Sequence, residues 1–147
     1  MTQHCDTARE ELIYEGLYGP VPLSSVNWHV MQLHRDATPC VIQQETMQLI
    51  RLLVADGLFE LGYRAGEDDR FVAFNEPLDT SIQNIYDAYV THNADRLGWV
   101  YRFWLDLSDK GKRVALSTDK GKQIAREEEE RLAELQALRN IKARYGR

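Results

Sequence analysis

Apolar residues recur along this chain with a spacing that changes from segment to segment, and each change marks an element. Leu12, Ile13, Tyr14 and Leu17 fall at helical spacing, behind Asp6 or Thr7 as a cap and ahead of Gly19-Pro20 as a stop. A first helix is expected over about 7–17. Pro20 and Pro22 then impose a turn, and Val26, Val30 and Leu33, flanked by Trp28 and Met31, predict a short second helix capped by Ser24 or Ser25. Thr38-Pro39 opens a third, because threonine is a good N-cap and proline is tolerated in a first turn. Ile42, Thr46, Leu49, Ile50 and Leu53 trace one stripe along it from Pro39 to Asp56, and Gly57 stops it.

Past Gly57 the period shortens. Leu58, Phe59, Leu61 and Tyr63 lead to the polar tip Ala65-Gly66-Glu67-Asp68-Asp69 and then to Phe71-Val72-Ala73-Phe74, the pattern of a β-hairpin with an acidic turn. Asn75-Glu76-Pro77 breaks it. Ile82, Ile85, Tyr86, Tyr89 and Val90 restore helical spacing behind Asp79 and Thr80 as caps, which predicts a fourth, amphipathic helix over 78–91. After the polar loop 91–98, Trp99, Tyr101, Phe103, Leu105 and Leu107 alternate as one face of a further strand over 99–107. Residues 108–147 are helical by composition, with Ser108 at the start and Asp109 in the first turn. A near-repeat relates Leu107-Ser108-Asp109-Lys110-Gly111-Lys112 to Leu116-Ser117-Thr118-Asp119-Lys120-Gly121-Lys122. Its two capping signals imply two helices or one kinked helix, with Gly111 and Gly121 as the weak points. The expected fold is α+β and helix-rich, with a domain over 1–107 and a C-terminal helical extension over 108–147.

Composition adds limits. With 147 residues, 44% of them apolar, and three Trp, the chain can bury one sizeable core. No run approaches the roughly 18 apolar residues of a membrane span, and Met1-Thr2-Gln3-His4 does not open a signal segment, so neither insertion nor export is expected. Cys5 and Cys40 are the only cysteines, and a reducing cytoplasm with free thiols is the expected setting. The net charge of −5 is unevenly spread: residues 1–107 hold 7 of the 18 Lys+Arg and 16 of the 23 Asp+Glu, a local net of −9, and residues 108–147 stand at +4. An acidic body with a basic tail is the first functional clue.

Helix, helix, helix, hairpin is the order found in winged helix-turn-helix domains. The segment Leu52-Leu53-Val54-Ala55-Asp56-Gly57-Leu58-Phe59 resembles their junction between third helix and wing, and Leu105-Asp106-Leu107-Ser108-Asp109-Lys110-Gly111 is similar to the Leu-Thr-x-x-Gly segment of many bacterial members. Together these cover about residues 7–75 and 105–115. The helix over 78–91 departs from that pattern, since it intervenes between the wing and the second segment. The resemblance implies a winged-helix core with an inserted helix and an extra strand, and puts the helix over 39–56 in the position that family members insert into the DNA major groove. Gln43, Gln44, Met47, Gln48 and Arg51 lie off its apolar stripe. Glutamine can pair bidentately with adenine, although it is equally a good helix former in water.

Charge sets the choice of partner. Arg35, Arg51, Arg64 and Arg70 could meet phosphates, but Glu67, Asp68 and Asp69 put like charge at the tip of the wing. A non-catalytic module that binds a protein, as a regulatory or immunity-like protein would, is favoured over a DNA-binding transcription regulator. The tail bases Lys110, Lys112, Arg113, Lys120 and Lys122 would help DNA only if folded back beside the wing. Ile124, Leu132, Leu135, Leu138 and Ile141 leave an apolar stripe on the C-terminal helix, suited to packing back on the domain or to a homodimer. No cofactor, metal or small-molecule ligand is evident. His29 and His34 sit five residues apart, about 140° around a helix, and Cys40 adds no zinc spacing. Glu67-Asp68-Asp69 lacks the alternating ligands of a calcium loop. No phosphate cradle, nucleophile elbow or His-Glu-x-x-His segment occurs, so an enzyme is not expected. Trp99, Tyr101, Phe103 and Trp104 fit a core better than a pocket.

Overall fold

The computed structural model describes residues 2–146, with side chains from Thr7 onward. It is an α+β structure of six α-helices and a four-stranded antiparallel sheet. In chain order these are α1 (Thr2–Gly16), β1 (Val21–Pro22), α2 (Leu23–Leu33), α3 (Pro39–Ala55), β2 (Phe59–Ala65), β3 (Arg70–Ala73), α4 (Leu78–Tyr86), β4 (Trp104–Leu107), α5 (Asp109–Leu116) and α6 (Asp119–Tyr145). The strands lie in the order β1-β4-β2-β3. The last strand in sequence is therefore an inner strand, and Leu105 of β4 pairs with Val21 on one side and Leu61 on the other. All three side chains are buried, and with Leu12, Val26, Ile50 and Leu53 they belong to one continuous core.

Local chemistry accounts for several boundaries. The Thr38 hydroxyl accepts from the Val41 N–H, Pro39 occupies the first turn of α3, and Gly57 leaves the helix at φ +73°. Ser108 and Thr118 cap α5 and α6 in the same way, each accepting from a glycine N–H three residues on, at Gly111 and Gly121. Two helices, not one kinked helix, follow from those caps.

Other boundaries are set by tertiary partners and differ from the sequence expectation. α1 runs through Asp6 and Thr7, because neither glycine nor proline interrupts the residues before them. α2 starts at Leu23 after an extended Pro22, with Ser24 and Ser25 inside its first turn; no side chain caps it, and the Leu23 N–H donates instead to the Phe103 carbonyl. Likewise α4 begins after Pro77 with no side-chain cap, so Asp79 and Thr80 are first-turn residues. It closes as a π-helical turn over Asp87–Thr91, which carries Ala88 and Tyr89 inward. The final strand covers only Trp104–Leu107. Its neighbour β1 is two residues long and ends in Pro22, which has no N–H to donate, so nothing extends that ladder to Trp99. Trp99, Phe103, Leu105 and Leu107 are buried, but Tyr101 lies outside on Trp104.

Gly111 and Gly121 are sites of close approach and not weak points. A Cβ on Gly111 would meet the Leu58 carbonyl oxygen at 2.3 Å, and one on Gly121 would meet that of Ala115 at 1.8 Å. Alanine is favoured over glycine in a helix by about 1 kcal/mol, but this contact is with backbone and cannot yield. Gly111→Ala is expected to destabilise the protein by about 3 kcal/mol in urea unfolding, the upper range for overpacking; a stabilised variant would show that α5 can move off β2.

Candidate functional site: the face of the third helix and the hairpin

Residues on the outer side of α3 divide by depth. Gln44, Gln48 and Arg51 are exposed, whereas Met47 packs on the core and Gln43 is half-buried. Val41 and Leu52 share the exposed side, so it is part apolar and carries a single cation.

That cation has a carboxylate partner. Arg51 Nη1 lies 2.9 Å from Asp79 Oδ1, in the first turn of α4. The hairpin repeats the arrangement. The Arg64 Nε donates to the Asp69 carbonyl at 2.7 Å, its Nη2 lies 3.5 Å from the Asp69 carboxylate, and its guanidinium stacks 4.9 Å above the Trp104 ring. Arg70 Nη1 sits 3.7 Å from Asp68. A turn at Gly66 (φ +79°) and Asp69 (φ +55°) places these carboxylates, with Glu67 exposed beside them. Exposed pairs of this kind stabilise a fold by only about 0–1 kcal/mol each. Three arginines are paired with Asp68, Asp69 and Asp79, and Glu67 is exposed beside the turn, so these groups carry no positive surplus.

Tail bases reach the body at scattered places. Lys110 Nζ donates at 2.7 Å to the Asp56 carbonyl, at the negative end of the α3 dipole. Lys120 instead lies 3.9 Å from Glu11 and 4.8 Å over the Tyr14 ring, on α1. Burial pushes the Asp106 carboxyl up, against the pull of Lys112 and Arg64. On α6, Ile124 and Glu128 are buried, whereas every described residue from Glu129 to the helix end is exposed, including Leu132, Leu135, Leu138 and Ile141. Ile124 thus belongs to the chain's own packing, and the rest of the stripe does not fold back on the domain. The hydrogen bonds and charge of Arg131 hold the Glu128 carboxyl below its usual range.

The segment between β3 and β4 is anchored by polar contacts that nothing in the sequence pattern signalled. The buried Tyr89 hydroxyl donates to Asn27 Oδ1 on α2, Asn93 Nδ2 donates at 2.6 Å to the Tyr89 carbonyl, and the Trp99 indole N–H donates at 2.9 Å to the Asn93 carbonyl. The Tyr89 and Trp99 rings meet edge to face at 4.9 Å. His29 lies 3.4 Å from Glu15 and His92 lies 3.7 Å from Asp87. Among the described residues no group of three His, Cys, Asp or Glu could hold a metal ion, and no helix is long and apolar enough to cross a membrane. Cys40 is a free, exposed thiol, and the Cys5 side chain lies outside the described residues. No protein-family model, curated protein or solved structure matches this chain.

Burial raises the Tyr89 phenol above its ordinary value. The neutral phenol therefore stabilises the fold fully below about pH 10, the unfolded value, and that stability is lost as pH rises through the higher folded one. Tyr89→Phe should cost about 1–2 kcal/mol at neutral pH, by leaving Asn27 without its donor. In thermal unfolding the advantage of the native chain over this variant should shrink above about pH 10; a constant difference would mean that the phenol does not titrate within the fold.

Proposed function

We propose that this chain is a winged helix-turn-helix protein without catalytic machinery, and that its α3 and hairpin face binds a basic protein surface. The topology supports the first part. Helix, strand, helix, helix and strand follow in order from α1 to β2, and β4 pairs with β2 from Phe59↔Leu107 to Gly62↔Trp104. In this reading β2 and β4 are the paired wing strands, and β3 with α4 is an insert at their tip. The two segments that carry the resemblance also touch: the Ser108 N–H donates at 2.9 Å to the Leu58 carbonyl, its hydroxyl to the Gly57 carbonyl, and Lys110 to Asp56.

One observation carries the preference for a protein partner. Of the four arginines that the sequence offers to a phosphate backbone, Arg51, Arg64 and Arg70 are each engaged by a carboxylate of the α3 and hairpin face, and Arg35, in the α2–α3 turn, bonds Gln32. Non-specific DNA affinity comes chiefly from free Lys and Arg, whereas an acidic surface with exposed Val41, Leu52 and Tyr63 offers a basic partner both charge and apolar area. The alternative, a DNA-binding transcription regulator, draws on Gln44 and Gln48, whose exposed amides could read adenine.

Binding of a random-sequence duplex, followed by fluorescence anisotropy at about 20 mM salt, separates the two. No binding is expected from the native chain, and Asp68→Asn, Asp69→Asn and Asp79→Asn combined should create salt-sensitive binding by releasing the arginines. Salt-sensitive binding by the native chain would favour regulation. The exposed stripe Leu132, Leu135, Leu138 and Ile141 is the proposed oligomerisation surface. Sizing the chain against a version ending at Glu130, which keeps Ile124 and Glu128, should give a smaller assembly for the truncated form; equal states would remove that role.

A further inference from the structure

A cleft of about 570 Å³ opens between the outer end of α2, the α2–α3 turn, the start of α3 and the loop after the π-helical turn. Small-molecule sites commonly measure about 300–1,000 Å³. Its charge is opposite to that of the body around it. Two of the seven basic residues of 1–107, Arg35 and Arg96, line it, and none of the sixteen carboxylates of that region does. Arg51, Arg64 and Arg70 are closed on carboxylates, but among the described residues neither Arg35 nor Arg96 has one within 4.0 Å. Arg35 donates to Gln32 Oε1 at 3.0 Å, which leaves most of its five N–H groups available. Arg96 stacks 5.3 Å above the Trp99 ring. Met31, Ile42 and Trp99 supply apolar lining in the same cleft.

From this arrangement we propose that the cleft binds a small organic carboxylate, its anionic end held by Arg35 and Arg96 and its apolar body set against Met31, Ile42 and Trp99. Guanidinium forks match a carboxylate with paired charge-assisted hydrogen bonds. Two arginines can neutralise one such charge with surplus, whereas a dianion would meet more repulsion from the acidic body. The cleft walls are held by the Tyr89–Asn27 and Asn93–Tyr89 contacts, so the site is largely formed before a ligand arrives. A ligand here bridges the start of α3 to the inserted segment. The proposal is independent of whether the α3 face binds protein or DNA.

The test is a titration of the full chain, carrying ¹³C-methyl labels on Met and Ile, with benzoate and octanoate, each alongside its neutral amide. At least one carboxylate should shift the Met31 and Ile42 methyl signals saturably, about tenfold more tightly than its amide, as expected for loss of a charge-assisted bond. Arg35→Gln and Arg96→Gln should each weaken that binding about tenfold, with Arg51→Gln as a control that leaves it unchanged. The arginines are exposed, so these variants should fold, and an unaltered Ile124 methyl signal checks that they do. Amide and carboxylate binding equally, neither carboxylate producing a saturable shift, or both arginine variants binding as tightly as the native chain would each overturn the proposal.

Discussion

The structure depends on a single row of side chains across the sheet, Val21, Leu105 and Leu61, with Leu105 in the middle. A two-stranded hairpin such as β2 and β3 is marginal by itself in water. It becomes part of a domain only when β4 returns after the segment that follows β3 and pairs with β2, burying Leu105 and Leu107 against the helices. That return also caps α2 through the Phe103 carbonyl and brings Ser108 onto the Gly57-Leu58 turn. The glycine at 111 follows from the same contact, because α5 starts so close to Leu58 that no side chain fits between them. The start of α2, the sheet order and the seat of α5 are thus consequences of one strand placement.

Electrostatics then sets the character of the α3 and hairpin face. A local net of −9 over 1–107 describes an average field and would be compatible with a local positive stripe. The pairings engage Arg51, Arg64 and Arg70 instead. Arg51 is drawn to α4 through Asp79, and the hairpin turn directs Asp68 and Asp69 back toward Arg70 and Arg64. The segment between β3 and β4 changes the surroundings of α3 in two ways, by supplying Asp79 and by bringing Arg96 into the cleft that Arg35 also lines. The paired Arg51 and the cleft at the start of α3 both involve that segment.

Parts of this were legible in the sequence because they depend on neighbours in the chain. Thr38-Pro39 with Gly57 delimits α3, Ser108 and Thr118 mark the starts of α5 and α6, and the Gly66–Asp69 turn follows from residues that accept positive φ. The candidate residues were legible only as a set. That Gln44 and Gln48 face outward follows from helical period, but the burial of Ile124, the half-burial of Gln43 and the engagement of Arg51 by a residue 28 positions away do not. The alternation from Trp99 to Leu107 suggested a long strand because period alone says nothing about whether a partner strand is present.

By itself, the sequence determined where α3, α5 and α6 start through side-chain caps, which segments alternate, and that the body is acidic and the tail basic, since these depend on residues a few positions apart. Only the tertiary structure decided that β4 lies inside the sheet, that α2 is capped by a distant carbonyl, which arginines are neutralised, and that two others share a cleft. The physical reason is range. Hydrogen bonds and ion pairs act over about 3–4 Å in space, and the residues that make them here are brought together only once the chain has folded.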